Sequence, residues 1–152
     1  MPFNIVLVAP EIPQNTGTIG RLCVCLDARL HLVKPLGFLL DEASVRRAGL
    51  DYWQYVDLTV HESWAAFLAA EQPARLWLTS TKGQRTYLEA EFHEGDYLVF
   101  GQETAGLPPE FHARYSEQMI TIPMPGRHAR SLNLANAVAI VVYEGYRQLH
   151  AR

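Results

Sequence analysis

Short apolar runs alternate with amphipathic stretches along the whole chain. "FNIVLVA" (residues 3–9) is continuously apolar and rich in branched side chains, which predicts a strand buried on both faces. A proline-rich loop, "PEIPQNTG", follows, and Asn15 or Thr16 is placed to cap the helix predicted over "TGTIGRLCVCLDA". "RLHLVKP" predicts a short strand ended by Pro35. "DEASVRRAGLDYW" opens with acids and carries Arg46 and Arg47 later, the charge order a helix dipole favours. "YVDLTVH" predicts a strand, "ESWAAFLAAE" a helix and "ARLWLTST" another strand, before the polar loop "KGQRTYLEAEFHEG". "DYLVFG" is the next strand, "PPEFHARY" a short helix with proline at its start, and "QMITIPM" the last strand. "PGRHARS" reads as a loop, and "LNLANAVAIVVYEGYRQL" as a long final helix with Ser131 as its N-cap.

This alternation predicts an α/β fold, a parallel sheet covered by helices on both faces. A chain of 152 residues is most economically one domain, spanning 1–152. Ligands of open α/β sheets sit beyond the carboxyl ends of the strands. The loops "TSTKG", "GQETAGLP" and "PMPGRHARS" are therefore expected to build a site. Gly101, directly after a buried strand, either admits a ligand against the main chain or simply turns it. Gly106, followed by Leu-Pro, fixes a tight turn. Glu103 has two readings: a general base, or a carboxylate that holds its loop by accepting from backbone N–H groups.

Composition narrows the function. The hydrophobic content of 49% suits a packed core, and no compositional shift marks a linker. The apolar runs fall well short of the about 20 residues needed to cross a membrane. The start carries neither a basic n-region nor a small-residue cleavage site, so a cytoplasmic protein is expected. Cys23 and Cys25, one residue apart on a predicted helix, point in different directions and read as small core residues. A net charge of -3 argues against coating nucleic acid through bulk charge. It leaves room for local basic patches: Arg46 with Arg47, Lys82 with Arg85, and Arg127 with Arg130. There is no P-loop, no G-x-G-x-x-G, no G-x-S-x-G elbow, and no ligand-spaced His or Cys pair, so neither nucleophilic catalysis nor a metal is expected.

Three segments together resemble the SPOUT superfamily of RNA methyltransferases: "PEIPQNTGTIGRLC", "LVFGQETAGLP" and "IPMPGRHARSLNLANAVAIVVYE". They occur in the family's order and spacing. With "RRAGLDYW" and "TSTKG", the likeness covers nearly the whole chain and is greatest to compact bacterial enzymes that methylate the 2'-hydroxyl of cytidine or uridine at the tRNA wobble position. The resemblance implies a parallel sheet with a deep C-terminal trefoil knot, and a homodimer whose substrate sites draw on both subunits. It implies S-adenosylmethionine as cofactor and tRNA as substrate. Carried over residue by residue, cofactor contacts fall on Leu78, Thr79, Gly101, Ile122 and Ser131, with Glu103, Gly106 and Leu107 shaping the loop and Asn133 supporting it. Arg21, with Asn15 near it, engages the ribose or its phosphate, and Tyr143 is a candidate for the same space. Arg46, Arg47, Lys82, Arg85, Arg127 and Arg130 are the expected RNA contacts. Two alternatives stay open: methylation of another RNA position, or an inactive RNA- and cofactor-binding module.

Overall fold

Phe3, Ile5 and Leu7 of β1 (Phe3–Val8) pack into one apolar core and Val6 and Val8 into another, so a single strand separates two layers. That two-residue alternation, with all six residues buried, is what a central strand of a doubly covered sheet requires. The computed structural model describes residues 3–41 and 43–151; Glu42, in the acidic lead-in to the second helix, lies outside the described residues. In chain order follow α1 (Pro13–Leu26), β2 (Arg29–Val33), α2 (Ala43–Gly49), a 3-10 segment (Leu50–Tyr55), β3 (Asp57–His61), α3 (Trp64–Glu71) and β4 (Leu76–Thr79). The remainder comprises β5 (Arg85–Thr86), β6 (Asp96–Phe100), α4 (Pro109–Arg114), β7 (Met119–Thr121) and α5 (Leu134–Ala151).

All pairings are parallel, in the order β3-β2-β1-β6-β4-β7-β5. One face carries Ile19 and Cys23 of α1 and Ala135, Val138, Val141 and Val142 of α5, packed against Phe3, Ile5, Leu7, Leu98 and Phe100. The other face carries Phe67 of α3 and Phe111 of α4 against Val6, Val8, Val33, Leu78 and Val99.

The expected polar loop over residues 82–95 contains β5, two residues long. No periodicity announces so short a strand; it exists because β7 lies beside it, Arg85 and Thr86 pairing with Ile120 and Thr121 and Tyr87 N–H donating to Thr121 O at 2.9 Å. β5 follows β4 in the chain, yet β7, from much later in the sequence, sits between them in the sheet. That late insertion beside β4 agrees with the knotted C-terminal arrangement expected of the resemblance, an arrangement ordinary folds avoid.

Two helix starts differ from expectation. Helix α1 begins at Pro13, with Ile12 as N-cap, so Asn15 and Thr16 are buried inside the helix rather than capping it. At α5 the Asn133 carboxamide oxygen accepts from Asn136 N–H at 3.2 Å, so Asn133, not Ser131, caps the helix. Cys25 is exposed rather than a core residue, while Cys23 is buried.

Candidate functional site

The loops after β4, β6 and β7 converge on a cavity of about 480 Å³, open beyond the carboxyl ends of those strands. Its wall includes Thr79, Gly101, Glu103, Gly106, Leu107, Ile122 and Ser131 of the expected cofactor set. Leu78 stands one residue behind Thr79 with its side chain fully buried, off the cavity wall. Lys82 and Arg130, expected as RNA contacts, also stand on this wall. The sequence did not single out Thr104, His112 or Met124, which line it as well. His112 comes from α4, an element with no motif to mark it.

Gly101 has a more local purpose than admitting a ligand. A Cβ there would fall 2.2 Å from the carbonyl carbon of Gly106 and 2.3 Å from Leu107 N. The chain folds back on itself: Gln102 and Gly106 exchange both backbone hydrogen bonds at 2.9 Å, and Gly106 adopts φ +72°. That left-handed conformation favours glycine. The cavity floor is therefore a tight backbone hairpin that a side chain at 101 would force open.

A chain of hydrogen bonds ties the three motifs together. The Glu103 carboxylate accepts from Glu11 N–H and Ile12 N–H, each at 2.8 Å, at the entrance to α1. No acid lies in the first turn of α1, so Glu103 supplies from another loop the negative charge that a helix N-terminus attracts. Reciprocally, the Glu11 carboxylate accepts from Thr104 N–H at 3.0 Å and from the Thr104 hydroxyl at 2.7 Å. The Asn15 amide donates to Glu103 Oε2 at 3.3 Å, and its carbonyl accepts from Asn133 Nδ2 at 3.1 Å. Glu103 thus spends its oxygens on holding backbone and Asn15, and Asn133 acts through Asn15 rather than from the cavity wall.

Arg21 is exposed on α1 and is not on the cavity wall of its own chain; its guanidinium lies over the Tyr52 ring, 5.4 Å from the centroid. Arg46 and Arg47 are exposed on α2, which packs on α1. Arg85 lies over Trp77, 5.7 Å from its ring centroid, and Arg127 is exposed in the loop before α5. Tyr143 is 47% exposed on α5, beside Tyr146, and neither fills the core nor lines the cavity.

A second polar cluster lies under α3. His31, His61 and Glu71 bring potential metal ligands within 4.8 Å of one another, a convergence that the scattered histidines of the sequence concealed. The His31 Nδ1 and His61 Nε2 atoms are 3.1 Å apart, while the ring centroids are 5.3 Å apart with planes inclined by 22°. Rings so disposed point nitrogen at nitrogen along one line, the geometry of a hydrogen bond; a shared metal needs both lone pairs aimed at a third point. Every partner is satisfied if His61 Nε2–H donates to His31 Nδ1 and His31 Nε2–H donates to Asn4 Oδ1, 3.1 Å away. Burial pushes the His31 pKa down to about 4 and lowers that of His61 too; nearby Glu71 opposes both shifts and Arg29 adds to them.

Residues 2–143 match the SpoU rRNA Methylase family. The chain is 53% identical over 150 residues to a tRNA (cytidine(34)-2'-O)-methyltransferase of Burkholderia ambifaria, covering 96% of this chain and 95% of that one. It is 50% identical over 148 residues to the protein of that name from Escherichia coli K12, covering 97% and 94%. A solved structure described as "Structural insights into the 2-OH methylation of C/U34 on tRNA" superposes with a TM-score of 0.93 at 52% identity, covering 99% of this chain and 97% of that one. An AdoMet-bound rRNA methyltransferase from Sinorhizobium meliloti superposes with a TM-score of 0.85 at 27% identity, covering 97% of this chain and 56% of that one. With two of its motifs on one cavity wall, the first tied to them through Asn15, and a knotted parallel sheet, the chain belongs to the SpoU rRNA methylase family of SPOUT methyltransferases.

Proposed function

We propose that this protein uses S-adenosylmethionine to methylate the 2'-hydroxyl of the wobble nucleotide of tRNA, cytidine or a modified uridine at position 34. The observation that carries the reading is that the second and third motifs line one cavity while Asn15 of the first is hydrogen-bonded to both, through Glu103 and Asn133. Relatives of nearly the same length bear the corresponding name.

The cavity suits the cofactor. Its volume lies within the roughly 300–1,000 Å³ of small-molecule sites. Its wall mixes apolar side chains, Leu107 and Ile122, with backbone of the 101–107 hairpin and the Thr79 and Ser131 hydroxyls, a match for a flat adenine and a ribose. When bound, the cofactor supplies a methyl group on an already activated sulfonium, so the protein's task is orientation more than activation. The hairpin held by Gly101 and Gly106 fixes the cavity floor, and Lys82 and Arg130 set positive charge at its wall for phosphate or carboxylate. Arg21 engages the ribose or its phosphate through its in-plane N–H donors. Asn15, buried in the first turn of the same helix, ties α1 to the cofactor loop through Glu103.

Because Arg21 does not line its own chain's cavity, the reading includes a homodimer in which one protomer's α1 serves its partner's pocket. The exposed tyrosines of α5, Tyr143 and Tyr146, suit such an interface. Arg46, Arg47, Arg85 and Arg127 then contact tRNA phosphates, with binding weakened by salt. No helix among the described residues is long and apolar enough to cross a membrane; with tRNA as substrate, the reading includes a cytoplasmic location.

Transfer of labelled methyl from S-adenosylmethionine to unmodified and fully modified tRNA pools, with mapping of the product, tests the proposal. A 2'-O-methyl at position 34 is expected. Methylation at another nucleotide overturns the substrate; no transfer to either pool, with cofactor bound, overturns the activity.

A further inference from the structure

Gly20 and Arg21 are consecutive on α1, and each meets an aromatic residue of the 3-10 segment that follows α2. A Cβ at Gly20 would fall 2.7 Å from Trp53 Cζ3 and 2.9 Å from Cε3, so Trp53 is seated directly on the helix backbone. The preceding residue, Tyr52, is thereby held beside Arg21, whose guanidinium carbon lies 5.4 Å from the centre of the Tyr52 ring. Tyr52 remains 38% exposed, although burial of both rings would have been the simpler packing. Among the described residues Arg21 makes no hydrogen bond and no ion pair.

We propose that Tyr52 is a positioning residue for RNA recognition: its ring holds the Arg21 guanidinium by the face, so that the N–H edge is presented, unoccupied, to the ribose-phosphate of the target nucleotide. This deepens the reading of Arg21 given above and rests on it. The physical case lies in the shape of the group. A guanidinium binds through two independent surfaces: a flat face attracted to the aromatic ring, and a rim of five in-plane donors that grips phosphate or ribose oxygens. A carboxylate partner would fix the side chain equally well but would consume the rim and cancel the charge. An aromatic partner restricts the rotamers of a long side chain and leaves both rim and charge for the RNA. Restriction before binding lowers the entropy that complex formation must overcome.

The test combines Tyr52→Ala, Tyr52→Phe, Arg21→Ala and the double variant Tyr52→Ala/Arg21→Ala. Two readouts are used: equilibrium binding of unmodified tRNA without methyl donor at several salt concentrations, and kcat/KM for methyl transfer. Cofactor affinity by calorimetry and the melting temperature serve as controls for folding. Tyr52→Ala is expected to weaken tRNA binding and kcat/KM by about tenfold, the scale of a cation–π contact. Cofactor affinity stays unchanged, and Tyr52→Phe, which keeps the ring face, recovers most of the loss. In the Arg21→Ala background, Tyr52→Ala adds less than about twofold, because the two residues act as one unit. Arg21→Ala lowers the salt slope by about one phosphate contact.

Full activity in Tyr52→Ala alongside a crippled Arg21→Ala overturns the inference and leaves the Arg21 reading standing. Equal losses in Tyr52→Phe and Tyr52→Ala overturn it as well, since the hydroxyl and not the ring would then matter. So do additive losses in the double variant. Unchanged tRNA binding and turnover in Arg21→Ala removes the reading on which the inference depends.

Discussion

The buried histidine pair makes the fold acid-sensitive in a window that can be calculated. His31 has no exposed surface, and burial lowers its pKa from 6.5 to about 4. Between those values the unfolded chain binds a proton that the folded chain refuses, so stability rises with pH. The contribution is complete above the unfolded pKa, begins to disappear as pH falls through 6.5, and is fully lost below about 4. Each pK unit corresponds to about 1.4 kcal/mol, so the whole shift amounts to about 3 kcal/mol, of which about 2 kcal/mol is gone by about pH 5. The facing groups fix the sign. Glu71 from α3, 3.9 Å from His31 Nε2, and Asp57 favour the imidazolium, whereas Arg29 and His61 oppose it alongside burial. His61 shifts in the same direction, so it adds to the loss.

Urea unfolding at fixed protein concentration checks the calculation. With a denaturant slope of about 2 kcal/mol per molar, the midpoint should fall by roughly 1 M between about pH 7.5 and about pH 5. Other groups also titrate in this range, so the informative comparison is with His31→Gln, whose amide can accept from His61 and donate to Asn4 without titrating. That variant should lose most of the pH dependence while starting from lower stability. If its midpoint falls with pH as far as that of the unaltered protein, the buried pair is not the source and the reasoning fails.

Three further outcomes are expected. Gly101→Ala sets a Cβ where the Gly106 backbone now lies, so calorimetry should show cofactor affinity reduced by at least about tenfold; unchanged affinity would mean that the hairpin moves freely. Glu103→Gln turns an acceptor into a donor facing backbone N–H groups and should cost roughly 1–3 kcal/mol in urea unfolding, whereas a loss below about 0.5 kcal/mol would show that the clasp contributes little. Alkylation of the native protein should modify Cys25, which is exposed, and spare Cys23, whose thiol is buried and pushed up to about 12; rapid modification of both, mapped by mass spectrometry, would contradict that assignment.

The strands were legible because burial on both faces demands runs of branched apolar residues, and "FNIVLV" and "DYLVF" satisfy that demand within five or six positions. What escaped depends on partners remote in sequence. The start of α1 was misplaced because its capping carboxylate, Glu103, comes from 91 residues away, and Asn15 and Thr16 resemble caps only while that partner is out of view. β5 escaped because its hydrogen-bonding partner is β7, which comes more than thirty residues later in the chain. His31, set in "RLHLV", resembles the polar position of an alternating strand; it is buried instead because Asn4 and His61 meet its two nitrogens. The reverse holds for Gly101. The sequence left two readings, a ligand against the main chain or a turn, and nothing local could tell that Gly106 of the same loop lies against it. The expected cofactor residues came from motif resemblance, and only the folded chain separates those on the cavity wall from Leu78 and Asn133, which are off it.

The exchange of carboxylates between the loop before α1 and the loop after β6 explains why these segments function together. Each loop brings an acid to the other's backbone: Glu103 to the N–H groups of Glu11 and Ile12, Glu11 to that of Thr104. Two acids in adjoining loops would repel each other if both faced the same space, but here each faces donors and their charges are met separately. Asn15 completes the link because its carboxamide donates to a carboxylate through one end and accepts from a second amide through the other. An aspartate at 15 would place a second acceptor against Glu103, and an alanine would leave Asn133 Nδ2 without its bond. The wall of the cofactor cavity, the entrance of α1 and the cap of α5 are therefore parts of one hydrogen-bonded body. Since α1 also carries Arg21, the side chain proposed to engage the ribose or its phosphate, the clasp joins the root of that helix to the 101–107 hairpin. Over the nine residues from Pro13 to Arg21 the helix's own hydrogen bonds oppose bending, so the clasp at its root fixes the direction in which it carries Arg21.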